Sequence, residues 1–200
     1  MGNLTTARSV TFFDVETTHL DPTRSTILSI SILTDWEDGS TEVWSTKIKP
    51  KNVEMNFASK EALQICKYDQ KEWENAPTFE EVAPTIADKL KWGPLVGHNI
   101  QFDIAHLTAV FNRYGWKKSD RGTRENEKCY RFGYPCIDTC ALAYIFLPTE
   151  RQNLNALREH FDIDVSRAHD SETDVEDCRH VFYSIISHVA PEEKDATAKG

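Results

Sequence analysis

The first part of the chain alternates apolar and polar residues with the period of β-strands. Residues 10–15 are an apolar run rich in β-forming side chains, and residues 26–33 alternate almost strictly. A turn signal at Asp38-Gly39-Ser40 precedes residues 41–48, which are patterned as a third strand. These three segments predict a β-meander.

The rest of the chain has mainly helical spacing of its apolar residues. A capping-box pattern, Thr78-x-x-Glu81, opens a predicted helix that extends to about Leu90. Further helices are predicted at residues 102–114, 138–147, 154–161 and 173–189, with short strands at residues 95–96 and 136–137. Three strands followed by alternating strands and helices predict an α/β domain with a mixed five-stranded central sheet flanked by helices.

Length and composition indicate one globular domain, which we place at residues 1–190, followed by a polar tail at 191–200 that we expect to be disordered. The chain has 200 residues, 40% hydrophobic and 28% charged, and no apolar run approaches the roughly 20 residues that span a bilayer. The first residues lack the pattern of a signal peptide. We therefore expect a cytoplasmic protein that does not bind membranes.

The five cysteines are odd in number and include no C-x-x-C pair, which favours free thiols. A zinc site built from Cys129, Cys136 and Cys140 is the alternative. The net charge of −9 argues against coating of long nucleic acid, although an enzyme that binds a strand end remains compatible with it. Residues 116–134 carry six Lys/Arg against three Asp/Glu and are predicted to be a loop, either a solvated insertion or a contact for substrate phosphates.

Candidate chemistry begins with Asp14 and Glu16 at the end of the first strand. Residues two apart on a strand point to the same face, so these carboxylates would lie side by side and repel each other. A hard divalent cation such as Mg²⁺ or Mn²⁺ would relieve that repulsion. A solvated turn is the simpler alternative for a D-x-E sequence in isolation.

Two further clusters of polar residues occur at predicted helix starts. Asp103 follows His98-Asn99 in the first turn of one helix, where it could equally complement the helix dipole. His169 precedes the last helix and Asp174 lies in its first turns, an arrangement that can aim both side chains at one point. Ordinary helix capping would also explain that run of acids.

Taken in order, D-x-E, H-N-x-x-F-D and H-x4-D resemble the three motifs of the DEDDh, or DnaQ-like, family of 3′→5′ exonucleases. That family includes the proofreading subunit of bacterial DNA polymerase III. The likeness covers about residues 8–189 and extends to Ile137-Asp138-Thr139 and Leu154-Asn155-Ala156-Leu157. It implies an RNase H-like fold.

The resemblance also implies two-metal hydrolysis of phosphodiester bonds with two Mg²⁺ or Mn²⁺ ions. The implied metal ligands are Asp14, Glu16, Asp103 and Asp174, and His169 is the implied general base, a role that suits its ordinary pKa near 6.5. Substrate contacts are implied for Thr17, Ile65, Cys66 and Phe102, although Phe102 could instead be a core residue. The chain departs from the family pattern at His19, at Ser171 and at Cys66-Lys67, and at the last of these we expect a different geometry beside the substrate.

The expected substrate is a 3′ end of DNA, single-stranded or frayed, and a polymerase or another DNA-processing protein is a possible partner. An RNA-trimming exoribonuclease is the first alternative, because the catalytic residues do not distinguish the two substrates. A catalytically silent nucleic-acid-binding or polymerase-docking module is the alternative of a different class. A structural metal-binding domain is the weakest interpretation.

Overall fold

A mixed β-sheet forms the centre of the molecule. The computed structural model describes residues 8–119, 128–164 and 171–189. The strands within those residues are β1 (Val10–Thr17), β2 (Ile27–Asp35), β3 (Thr41–Lys47), β4 (Leu95–Gly97), β5 (Lys117–Lys118), β6 (Cys129–Tyr130) and β7 (Cys136–Asp138). Five of them form one sheet in the order β3-β2-β1-β4-β7, and β5 pairs with β6 in a separate ribbon. The strands β1, β2 and β3 are antiparallel neighbours, whereas β4 runs parallel to both β1 and β7.

Helices cover both faces of this sheet. Those in the described residues are α1 (Asn52–Met55), α2 (Lys60–Ile65), α3 (Gln70–Trp73), α4 (Phe79–Lys89), α5 (Ile100–Arg113), α6 (Thr139–Phe146), α7 (Leu154–His160) and α8 (Ser171–Val189). None of these helices is both long enough and apolar enough to cross a bilayer.

Local sequence signals fix where several helices begin. The side chain of Glu81 accepts the main-chain N–H of Thr78 at 2.7 Å, which completes the predicted capping box of α4. Asp138 accepts the N–H of Cys140 at 2.9 Å and caps α6 as predicted. Asn153 caps α7 in the same way. These bonds satisfy N–H groups that have no partner inside the helix.

The two faces of β1 pack against different helices because successive side chains point in opposite directions. Phe13 and Val15 belong to the larger core cluster, which contains residues of α4 and α5. Val10 and Phe12 pack instead against Val175, Cys178 and Phe182 of α8. Each fully buried Phe contributes about 1.5–3 kcal/mol. The alternation also decides the side of the sheet on which Asp14 and Glu16 lie.

The predicted mixed sheet with flanking helices is confirmed, and the predicted strands agree with the observed ones to within two residues. Two helices begin earlier than expected, α5 at Ile100 and α8 at Ser171. The short helices α1, α2 and α3 were not predicted. Their four to six residues are too few to establish a helical period.

The prediction of a continuous loop at residues 116–134 is wrong at both ends of that segment. Trp116 and Tyr130 are buried, and the ring of Tyr130 stacks on Phe111 with a centroid separation of 4.8 Å. Phe132 also packs against the larger core cluster. The lysines of β5 are exposed, while residues 120–127 and the predicted tail at 191–200 lie outside the described residues.

Candidate active site

Two carboxylates project from β1, the central strand of the sheet. Asp14 lies opposite Ser31 of β2, and Glu16 lies opposite Ser29. Both follow Phe12 at intervals of two, so they share the sheet face that packs against α8. A break in the β1–β2 register between Glu16 and Thr17 marks the end of regular pairing at this point.

A third carboxylate comes from α8. The apolar residues of this helix hold it against Phe12, and Asp174 in its first turn thereby reaches the acids of β1. Asp14, Glu16 and Asp174 each offer a ligand atom, and these atoms lie within 4.8 Å of one another. We call these three residues the acid cluster. The structure thus brings together three of the four acids that the motifs singled out.

The fourth acid, Asp103 of α5, is buried, and it lies close enough to Asp14 to raise the pKa of that carboxyl. Its Oδ1 accepts the main-chain N–H of Val15 at 3.1 Å. The strand β4 pairs with β1 only at Thr11 and Phe12, so this carboxylate provides a partner for an N–H beyond the end of β4. Asp103 therefore links α5 to the strand that carries Asp14.

Burial and mutual repulsion strongly perturb these acids. Burial raises the pKa of Asp14 well above its ordinary value, and the nearby carboxylates of Asp103, Glu16 and Asp174 raise it further, while Arg158 opposes them. Burial likewise raises the pKa of Asp103, an effect partly offset by the hydrogen bond from Val15. Negative charge is therefore concentrated here beyond what the protein itself neutralises.

This donor set fits a divalent cation. Carboxylate oxygens are the ligands that Mg²⁺ and Mn²⁺ prefer, and a bound cation would relieve the repulsion that raises the pKa of Asp14. The acid cluster is the candidate metal-binding group found among residues 8–119, 128–164 and 171–189. Cys129, Cys136 and Cys140 lie in those ranges as free thiols and form no such group, so the zinc alternative is not supported.

Sequence reasoning missed Arg158. Its side chain is 1% exposed, and its guanidinium donates to Asp174 Oδ1 at 2.5 Å and to Asp177 Oδ2 at 2.7 Å. One feature of the sequence could have indicated that Arg158 is buried: it lies four residues after Leu154 and therefore on the apolar side of α7. Nothing in the pattern indicated which carboxylates it would meet.

The implied substrate contacts lie near the acid cluster to differing degrees. The Cys66 thiol donates to Glu16 Oε2 at 3.0 Å, and burial together with that carboxylate raises the pKa of Cys66. Ile65 is 49% exposed and lies next to Cys66 at the end of α2. Thr17 is buried, and its hydroxyl donates to the carbonyl of His19. Phe102 is half-buried beside Asp103 and packs on the ring of His106 with a centroid separation of 4.0 Å.

A groove of about 390 Å³ adjoins Glu16 and Cys66. Hydroxyl side chains of β2 and β3 line it, and Ser171 at the start of α8 completes that wall. The Ser171 hydroxyl hydrogen-bonds Ser31 at 2.9 Å, which gives a structural role to a residue that departs from the family pattern. The groove therefore offers hydroxyl groups next to the acids, and Lys47 and Lys67 also line it.

His169 and Asp170 lie outside the described residues, so the predicted general base is not placed. Ser171, two residues after His169 in the sequence, lies beside the groove. The role of His169 stays a prediction.

Comparison with known proteins identifies the family. A family model described as RNase_T, exonuclease, matches residues 11–182. The chain belongs to this exonuclease family. The matched range contains every acid of the candidate site, which is consistent with the resemblance found in the motifs.

Curated relatives of this RNase_T family member are named as DNA polymerase III proteins. It is 27% identical over 183 residues to the DNA polymerase III subunit epsilon of Treponema pallidum, covering 90% of this chain and 77% of that protein. It is 25% identical over 185 residues to the PolC-type DNA polymerase III of Oceanobacillus iheyensis. In that second case it spans only 12% of the relative's length.

Solved structures of exonucleases share the fold of this family member. The E. coli exonuclease I complex with a dT13 oligonucleotide superposes with a TM-score of 0.69 at 16% identity, covering 91% of this chain and 41% of that one. An exonuclease X complex with 5′-overhanging duplex DNA gives a TM-score of 0.61 at 18% identity, covering 90% and 92% of the two chains. The predicted RNase H-like fold is thereby confirmed.

Proposed function

We propose that the chain is a metal-dependent 3′→5′ exonuclease of the DEDDh type that shortens DNA from its 3′ end and releases 5′-mononucleotides. The observation that carries this proposal is the acid cluster, which lies beside the buried Asp103 at the edge of an open groove in a member of an exonuclease family. A catalytically silent module would have no need to maintain four mutually repelling carboxylates. We assign the exonuclease domain to residues 1–190.

The proposed cofactors are two Mg²⁺ or Mn²⁺ ions, held by Asp14, Glu16 and Asp174 with Asp103 as a further ligand. Such ions, when bound, would make water a stronger nucleophile at neutral pH and offset the charge of the scissile phosphate. A protein of net charge −9 would be expected to repel nucleic acid. The bound cations would make the electrostatic potential positive where the phosphate binds, which removes that difficulty.

The remaining proposed roles belong to the protein's own side chains. His169 accepts the proton of the attacking water, because an imidazole with an ordinary pKa near 6.5 is largely unprotonated at neutral pH. Ile65 presents an exposed apolar side chain to the terminal base. Cys66, held against Glu16, borders the terminal sugar. Thr17 and Phe102 complete the pocket from the ends of β1 and α5.

DNA is the proposed substrate because the similar proteins are named for DNA polymerase III or for complexes with DNA. A polymerase or another DNA-processing protein is the proposed partner on the same ground. We propose the cytoplasm as the place of action, since the five cysteines are free thiols, the state that a reducing compartment maintains.

A digestion assay tests the proposed function. Single-stranded DNA labelled at its 5′ end is incubated with Mn²⁺, and a matched RNA is digested in parallel. The wild type should give a ladder that shortens from the 3′ end, and Asp14→Asn should give none. Asp38→Asn, a change in an exposed turn acid, serves as the control and should digest normally. Failure of the wild type to cut either strand favours the silent module, whereas cleavage of RNA alone favours the exoribonuclease.

A further inference from the structure

Arg158 forms an unusual connection between the acid cluster and the protein core. Its side chain is 1% exposed and lies on α7, outside the three motifs. Its Nη2 donates to Asp174 Oδ1 at 2.5 Å, its Nε to Asp177 Oδ2 at 2.7 Å and its Nη1 to Asn155 Oδ1 at 2.7 Å. One guanidinium thereby joins α7 to two carboxylates on successive turns of α8.

Such a buried charge is costly unless each of its donors finds a partner. The guanidinium is planar and holds its N–H groups in a fixed fork, so bonds to Asp174 and Asp177 together restrict rotation of both carboxylates. Nη1 donates to Asn155 Oδ1 on the same helix, which fixes the guanidinium in a third direction. Asp174 therefore cannot turn freely about its side-chain torsions.

We propose that Arg158 is a positioning residue that presents Asp174 to a divalent cation, an inference that rests on the proposed function. The guanidinium holds Oδ1 of Asp174 and so fixes how this carboxylate faces Asp14 and Glu16, whose ligand atoms lie within 4.8 Å of its own. Groups that orient a metal ligand are typically worth 10–100-fold in metal affinity. Arg158 acts through Asp174 and does not touch substrate.

Charge alone would act in the opposite direction, because a guanidinium near the acid cluster repels a cation. Asp177 balances that charge, so Arg158 and Asp177 together are neutral as seen from the acid cluster. A variant that removes both groups leaves the net charge unchanged and removes the guanidinium that orients Asp174. This property makes the paired substitution more informative than Arg158→Met.

The test is the Mn²⁺ dissociation constant of Arg158→Met/Asp177→Asn, measured by titration calorimetry beside the wild type. We expect binding to weaken by about 10–100-fold. The matched control is Arg179→Met/Asp35→Asn, which removes a similar ion pair between the same helix and β2. Asp35 pairs with Val10 at the far end of β1 from Glu16, so the control should bind Mn²⁺ as the wild type does.

The outcomes separate the two proposals. A wild type that binds no Mn²⁺ contradicts both. A wild type that binds and digests DNA, with a dissociation constant unchanged in the folded double variant, overturns the positioning role alone. Tighter binding also overturns it, since Arg158 would then compete with the cation for Asp174. Should the double variant not fold, Arg158→Lys keeps the charge but loses the fork, and unchanged affinity there overturns the requirement for a guanidinium.

Discussion

Asparagine in place of Asp14 should stabilise the metal-free protein at neutral pH. Asp14 is half-buried on β1, with ligand atoms of Glu16 and Asp174 no more than 4.8 Å away. At that separation two like charges repel by about 3.5 kcal/mol if the effective dielectric constant is near 20. The substitution keeps the size of the side chain and removes its charge, so it relieves both repulsions.

The increase in the free energy of unfolding caused by Asp14→Asn has an upper limit, because the folded wild type can instead protonate Asp14. Protonating a carboxyl of ordinary pKa 3.8 at pH 7 costs about 4 kcal/mol, so the destabilisation by a charged Asp14 cannot exceed that amount. Attraction to Arg158 reduces the gain further. We expect the free energy of unfolding to rise by about 1–4 kcal/mol in Asp14→Asn.

Urea unfolding followed by circular dichroism, with a chelator present, measures this difference across pH. Because the folded pKa of Asp14 is raised, the folded state binds more protons than the unfolded state between the ordinary and the raised values. Wild-type stability should therefore fall as the pH rises through that window. The advantage of Asp14→Asn should be largest at neutral pH and should shrink as the pH approaches 4.

A matched control distinguishes repulsion from a general effect of the substitution. Asp35 on the neighbouring strand is also buried, but it accepts bonds from Arg179 at 2.7 Å and Tyr183 at 2.8 Å. Asp35→Asn should therefore destabilise the protein by about 2 kcal/mol at pH 7. If Asp14→Asn destabilised the metal-free protein as well, or if its effect did not vary with pH, the described repulsion would be wrong.

Three further predictions concern other parts of the chain. Gly93 has a φ of +60°, and an added Cβ would lie 2.1 Å from the Ser9 carbonyl oxygen, so Gly93→Ala should lower the free energy of unfolding by more than about 2 kcal/mol. The control is Gly39→Ala, whose Cβ would meet nothing within 4 Å and which should lower the free energy of unfolding by about 1 kcal/mol. His169→Ala should slow single-turnover hydrolysis by about 10²–10⁴-fold without weakening Mn²⁺ binding, and near-wild-type turnover would remove His169 from the mechanism. The indole N–H of Trp73 donates at 2.7 Å to the carbonyl of Leu28 on β2, which also accepts the main-chain N–H of Ile48. Because that carbonyl keeps a partner, Trp73→Phe should lower the free energy of unfolding, measured by thermal unfolding, by about 1 kcal/mol, and a loss above 3 kcal/mol would contradict this.

Much of the candidate site could be predicted because it depends on strand periodicity. Asp14 and Glu16 share a face for the same reason that Phe12 and Asp14 do, and the apolar pattern of β1 is long enough to establish that alternation. Asp174 lies beside Asp14 and Glu16 because a long helix with one apolar face can pack on the sheet in only a few ways.

Other features depend on contacts that no local pattern encodes. Asp103 can bond the N–H of Val15 because β4 pairs with β1 only as far as Phe12. The sequence around Asp103 or Val15 does not show where β4 ends. Arg158 meets Asp174 and Asp177 only because α7 packs against α8. Residues 116–134 contain many basic side chains and were therefore predicted to be an exposed loop, although Trp116 and Tyr130 are buried.

The most direct test of the account is manganese anomalous diffraction from crystals soaked in Mn²⁺. We expect a peak within the acid cluster, with oxygens of Asp14, Glu16 and Asp174 at about 2.1 Å from the metal. Ordered manganese at other surface acids, with none between these three carboxylates, would contradict it.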